Sequence, residues 1–95
     1  MDRAEFEAAL RDEGYLEVAD RRMEPNKTNP AHSHEFDARL LILEGEMTIT
    51  CDGEERIYRA GDTFAMSAGC LHAEQCGPEG VRYLAGRRYQ QKAAI

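Results

Sequence analysis

Long apolar stretches are missing from this 95-residue chain; the longest run is residues 40–43, Leu-Leu-Ile-Leu. A membrane helix needs about 20 such residues, so no span is expected. Basic residues are also few, 12 against 18 acids, for a net charge of −6 with neutral histidines. Nucleic-acid proteins usually present a basic face, so neither nucleic acid nor membrane is expected as a partner. The first fourteen residues carry Asp2, Arg3, Glu5, Glu7, Arg11, Asp12 and Glu13, which leaves no apolar centre for a secretory signal. The three cysteines, Cys51, Cys70 and Cys76, are odd in number and include no close-spaced pair. They read as thiols in a reducing cytoplasm rather than as a disulfide framework. There is no internal repeat, and the length fits one domain.

What is present is turn punctuation between short alternating segments. Asp2 followed by Glu5 has capping-box spacing, and Phe6, Ala9 and Leu10 share one helical face before Gly14. This predicts a short helix over residues 1–14 that packs on the rest. From Tyr15 the period moves toward two, with Leu16 and Val18 alternating with Glu17. Residues 25–30, Pro-Asn-Lys-Thr-Asn-Pro, are turn chemistry. Strands are expected at 40–44 and 46–51 around a turn or bulge at Gly45, with Met47, Ile49 and Cys51 on one face. Asp52-Gly53 signals a hairpin, 54–59 return, 60–62 turn, and 63–66 form another apolar piece. A strand at 71–76, a turn at 77–80 and a last strand at 81–85 complete the series. No helical pattern lies between the strands. The expected fold is therefore all-β, a small antiparallel barrel or sandwich over residues 15–88 with a polar tail at 89–95.

His32, His34 and His72 are the chain's three histidines. An i, i+2 pair on a strand points both rings to one face, and imidazole is a good ligand for first-row divalent metals. His32-Ser33-His34, three residues, Ala38, six residues and Gly45 resemble the first motif of the cupin superfamily, His-x-His, three or four residues, Glu, six residues, Gly. Gly61, five residues, Ser67-Ala68-Gly69, two residues and His72 resemble the second, in which Pro-x-Gly-x-x-His follows a glycine. The two blocks cover about half of the chain.

The resemblance implies a jelly-roll β-barrel of cupin type and a homodimer. It implies one divalent transition metal (iron, zinc, nickel, manganese or cobalt) on His32, His34 and His72. Two positions depart from the motifs. Ala38 stands where the family has glutamate, and Ser67 where it has proline. Three neutral ligands leave the metal charge uncompensated and a coordination position open. That favours a small anionic or chelating ligand, in an oxygenase, lyase or isomerase type of enzyme or in a non-catalytic binding or sensing module.

Glu35 and Asp37 have the wrong strand parity to replace the missing carboxylate. Glu74 follows His72 by two, on the same face. It reads as a fourth ligand, a partner orienting an imidazole, the catalytic general base, or a rim acid facing water. Cys70 and Cys76 share that parity, as core thiols or as soft or redox-sensitive groups beside the metal. Phe36, Met47, Ile49, Phe64 and Met66 are expected to line the barrel; Tyr58 and Tyr83 read as core tyrosines with the hydroxyl at the rim, or as phenols projecting into the cavity as acids or anion binders. Arg39 is expected outside, solvated or in a subunit contact, and Arg82, Arg87 and Arg88 to form a solvated or interface patch.

Overall fold

The computed structural model describes residues 1–89. Helix α1 (Arg3–Asp12) is followed by β1 (Glu17–Met23), β2 (Thr28–His32), β3 (Phe36–Cys51), β4 (Glu54–Arg59), β5 (Thr63–Met66) and β6 (His72–Tyr89). All strand pairs are antiparallel. Of the predicted tail, Tyr89 ends β6 and pairs with Phe36; the remainder lies outside the described residues.

Two long strands organise the architecture. The first half of β3 pairs with β5 and with the second half of β6, which also carries β1. The second half of β3 pairs with β4 and with the first half of β6, which also carries β2. Each long strand thus crosses from one four-stranded sheet to the other, which is the geometry of a jelly roll. The crossing is set at Gly45, whose φ is +78°. A Cβ there would lie 2.0 Å from the carbonyl oxygen of Gly80, so no residue with a side chain fits without moving the backbone.

Two expectations about strand ends are corrected. Residues 36–51 form one bulged strand rather than two. Residues 77–80 are not a chain reversal but an excursion within β6. Met47 pairs with Cys76 and Gly45 with Val81, so four residues stand opposite Glu46 alone. Pro78 offers no N–H to a ladder, which suits it to that excursion. Asp52 and Gly53, both at positive φ, join β3 to β4 as expected, whereas of the turn expected at residues 25–30 the last three residues lie in β2.

The barrel interior holds Met23, Ala38, Leu40, Ile42, Met47, Ile49, Phe64, Cys76, Val81 and Ala85, with Phe36, Tyr58, Met66 and Tyr83 packed against them. A second cluster lies outside: Phe6 and Leu10 of α1 with Tyr15, Leu41 and Leu84. The run at residues 40–43 is therefore apolar on both parities because its strand is covered on both faces. The helix begins with the expected capping box, the Glu5 amide donating to Asp2 Oδ1 at 2.8 Å. Leu16 and Val18 point outward, 82% and 47% exposed.

Candidate metal centre

The three histidines come from three places in the chain. His32 ends β2, His34 sits in the short link to β3, and His72 opens β6. His32 and His72 are register partners across β2 and β6. The link is held from the other side, since the Gly69 amide donates to the His34 carbonyl at 2.8 Å. These anchors bring the rings together, with centroids 4.8 Å apart for His32–His34, 4.4 Å for His32–His72 and 5.3 Å for His34–His72. Their ligand nitrogens all lie within 4.8 Å of one another.

Hydrogen bonding decides which nitrogens are available. His32 Nδ1 is 2.7 Å from the Pro30 carbonyl oxygen, and His72 Nδ1 is 3.0 Å from that of Cys70. A carbonyl only accepts, so each Nδ1 carries the proton and donates it. The Nε2 atoms are left with free lone pairs. His72 is 2% exposed. Its Nε2 is the one fully buried side-chain nitrogen or oxygen without a hydrogen-bond partner among the described residues. Such an orphan costs about 1–3 kcal/mol, and a cation is a natural partner for it. Burial, and after it the neighbouring His32 and His72, hold the His34 imidazole below its ordinary 6.5. It is therefore neutral near pH 7, as a ligand must be. The donor set fits a divalent transition metal.

The rings face a cavity of about 190 Å³ inside the barrel. Ala38, Leu40, Phe36 and Met66 form its apolar wall, and Glu74, Tyr83, Asn29, Arg21 and Arg87 its polar part. Glu74 Oε1 accepts from Asn29 Nδ2 at 3.0 Å and lies 3.8 Å from His32 Nε2. Burial first, and the charge of Glu74 second, push the Tyr83 phenol up. Ala38 faces the histidines, so the motif's carboxylate position is inside the cavity and apolar.

The other residues singled out in the sequence sort by face and depth. Tyr58 packs on Phe64, ring centroids 4.5 Å apart, and lines a separate cavity. Cys76 is buried, its Sγ 3.6 Å from the Met23 carbonyl oxygen. Cys70 turns away from the histidines, its Sγ 3.0 Å from that of Cys51. Asp37 points outward as parity requires, paired with Arg88 at 3.0 Å. Arg39 is outside but not solvated: it pairs with Glu13 and lies 5.6 Å over the Phe6 ring. The three late arginines are not one patch. Arg82 is bidentate on Asp20, Arg88 holds Asp37 and the Glu13 carbonyl, and Arg87 reaches the cavity 4.5 Å over Phe36. Arg87 is the residue that sequence reasoning misplaced. Its parity with Tyr83 and Ala85 was the available signal.

Among the described residues, no helix is long and apolar enough to cross a membrane. No curated protein matches the chain. Solved structures do. A conserved protein of unknown function from Streptococcus pyogenes is 27% identical with a TM-score of 0.70, over 79% of this chain and 65% of that one. A putative ethanolamine utilization protein Q from Salmonella typhimurium LT2 is 25% identical with a TM-score of 0.66, over 81% of this chain and 60% of that one. This chain thus spans less than two thirds of either relative. A cupin superfamily protein from Desulfitobacterium hafniense DCB-2 is 18% identical with a TM-score of 0.67, over 79% of this chain and 80% of that one. The family model of the cupin domain matches residues 20–85. Those residues contain both histidine motifs and every strand-to-strand crossing described above, and the chain belongs to the cupin domain family.

Proposed function

We propose that His32, His34 and His72 hold a divalent transition metal, and that the cavity binds a small carboxylate-bearing chelating ligand beside it. The reaction type that suits such a site is that of an oxygenase, lyase or isomerase. The observation that carries the reading is the convergence of three imidazoles, two of them with Nδ1 committed to backbone carbonyls and Nε2 left free. When bound, the metal supplies Lewis-acid polarisation of a coordinated oxygen group.

The chain's own residues do the rest. With neutral histidines and no glutamate at position 38, the positive groups at the mouth, Arg87 and Arg21, attract an anion. A guanidinium matches a carboxylate in a two-bonded geometry. Phe36, Leu40 and Met66 exclude water behind the ligand. Tyr83 keeps its proton and can donate it as a hydrogen bond. Glu74, oriented by Asn29, is the nearest group able to take a proton from a bound ligand. Among the described residues the outer edge of β1 has no strand partner, and Leu16 and Val18 are exposed, which supports pairing of two copies.

The test is metal-free protein titrated with iron(II), zinc, nickel, manganese and cobalt, then with a panel of 2-oxo and 2-hydroxy acids. One ion per chain is expected, followed by saturable acid binding that requires the ion. Arg87→Gln should weaken acid binding about tenfold, the loss of one charge-assisted pair, with metal affinity unchanged. A protein that takes up none of the ions would overturn the proposal.

A second reading, ligand binding without turnover, is favoured by Ala38, which stands where the family motif has glutamate. Glu74→Gln separates the two. In an enzyme, turnover should drop about 100-fold or more while metal content holds. In a binding module, acid affinity and metal content should both stay within about twofold. Loss of the metal in this variant would instead make Glu74 a ligand.

A further inference from the structure

Beside the histidine cavity lies a second one of about 500 Å³, and Cys51 and Cys70 both line it. Their sulfurs are 3.0 Å apart, closer than two sulfurs sit in ordinary contact. A covalent bond would need an approach of about 1 Å. Both residues stand on fixed backbone. Cys51 ends β3, where it pairs with Glu54 on one side and His72 on the other. Cys70 closes a turn in which its amide donates to Ser67 O at 3.1 Å. The same turn is tied down by the Gly69 amide on His34 O and the Ala68 amide on Asp37 Oδ1, each 2.8 Å. Two thiols held face to face at an open cavity have a high effective concentration toward each other.

We propose that Cys51 and Cys70 are a reversible dithiol–disulfide pair that an oxidised low-molecular-weight thiol can close. One cysteine, as thiolate, attacks a sulfur of the oxidant, leaving a mixed disulfide and expelling one thiol. The other cysteine then attacks the protein sulfur of that mixed disulfide and expels the second thiol. Two electrons pass to the oxidant, and the two cysteine protons end on the two released thiols. The bond ties the turn before β6 to the end of β3. It thereby fixes the Cys70 carbonyl, which accepts from His72 Nδ1. Cys76 is excluded, since its sulfur is buried against Met23. The proposal stands whether or not the histidines hold a metal.

The experiment equilibrates the full chain in a series of oxidised to reduced glutathione ratios, quenches it in acid and alkylates it under denaturing conditions. The reduced chain should take up three alkyl groups and the oxidised chain one, on Cys76. Peptide mapping should find Cys51 joined to Cys70. Cys76→Ser should form the same link, whereas Cys51→Ser and Cys70→Ser should form none. Three alkyl groups at ratios that oxidise a reference dithiol would overturn the proposal. So would a link through Cys76, a link between chains, or glutathione adducts persisting in place of the bond.

Discussion

Replacing His72 by alanine is expected to cost at least about 100-fold in metal affinity, since removing a mere supporting partner of a ligand already costs 10–100-fold. His72 is the buried member of the triad, and its buried Nε2 has no hydrogen-bond partner among the described residues. The consequence is readable without an assay for turnover. A ligand at about 100 times its dissociation constant stabilises the native state by about 2.7 kcal/mol. In a domain of this size each kcal/mol moves the melting point by about 4–8 °C. Wild-type protein should therefore melt more than about 10 °C higher with saturating metal, and His72→Ala should show almost none of that shift. The metal-free variant leaves the Cys70 carbonyl without its donor and opens a small void, but it also removes the orphaned Nε2, so its own stability should fall by no more than about 1 kcal/mol. His34→Ala is the companion, because His34 is only half-buried and its removal disturbs the core less. If both variants kept the full metal-dependent shift, the imidazoles would not be the ligands.

The parts of this molecule that could be read from the chain were those governed by local chemistry. The capping box at Asp2 and Glu5, the hairpin at Asp52-Gly53 and the inward face of Met47 and Ile49 depend on residues a few positions apart. The histidine spacings were legible because turn glycines place His72 relative to Gly61 and Gly69, and only one residue separates His34, in the link, from His32 at the end of β2. What escaped depends on partners distant in sequence. Alternation at Leu16 and Val18 signals a strand but not its burial: β1 is an edge strand among the described residues, and both side chains are exposed. Residues 77–80 have turn composition, yet the long-range pairing of β3 with β6 carries the strand through them. Cys51 and Cys70 are related by no local period; only the register that sets Cys51 opposite His72 brings them together. Proximity in sequence groups Arg87 with Arg82 and Arg88, whereas alternation along β6 sends neighbouring side chains to opposite faces.

Ala38→Glu is expected to act in opposite directions on metal and ligand. Ala38 is buried, pairs with Met66 and Arg87 in the sheet, and lines the histidine cavity. A glutamate there places a carboxylate among three neutral imidazoles in a low-dielectric pocket. Without metal, that charge is desolvated, and the effective penalty for a poorly paired buried ion is several kcal/mol. Proximity to Arg87 and proton uptake by the pocket offset part of it, so a net loss of about 1–3 kcal/mol in the metal-free protein is expected. With metal, the same carboxylate becomes a fourth ligand and neutralises half of the ion's charge. Metal affinity should rise at least about tenfold, a gain of about 1.4 kcal/mol, and the metal-dependent rise in melting temperature should grow accordingly. The added negative charge and the filled position then work against an incoming carboxylate, so acid binding should weaken about tenfold or more. Denaturant unfolding of metal-free protein, metal competition with a chelator and acid titration of the loaded protein check the three limbs. A variant that neither destabilises the metal-free chain nor tightens the metal would mean that position 38 does not face the ion. The three-histidine reading would then need a different open side.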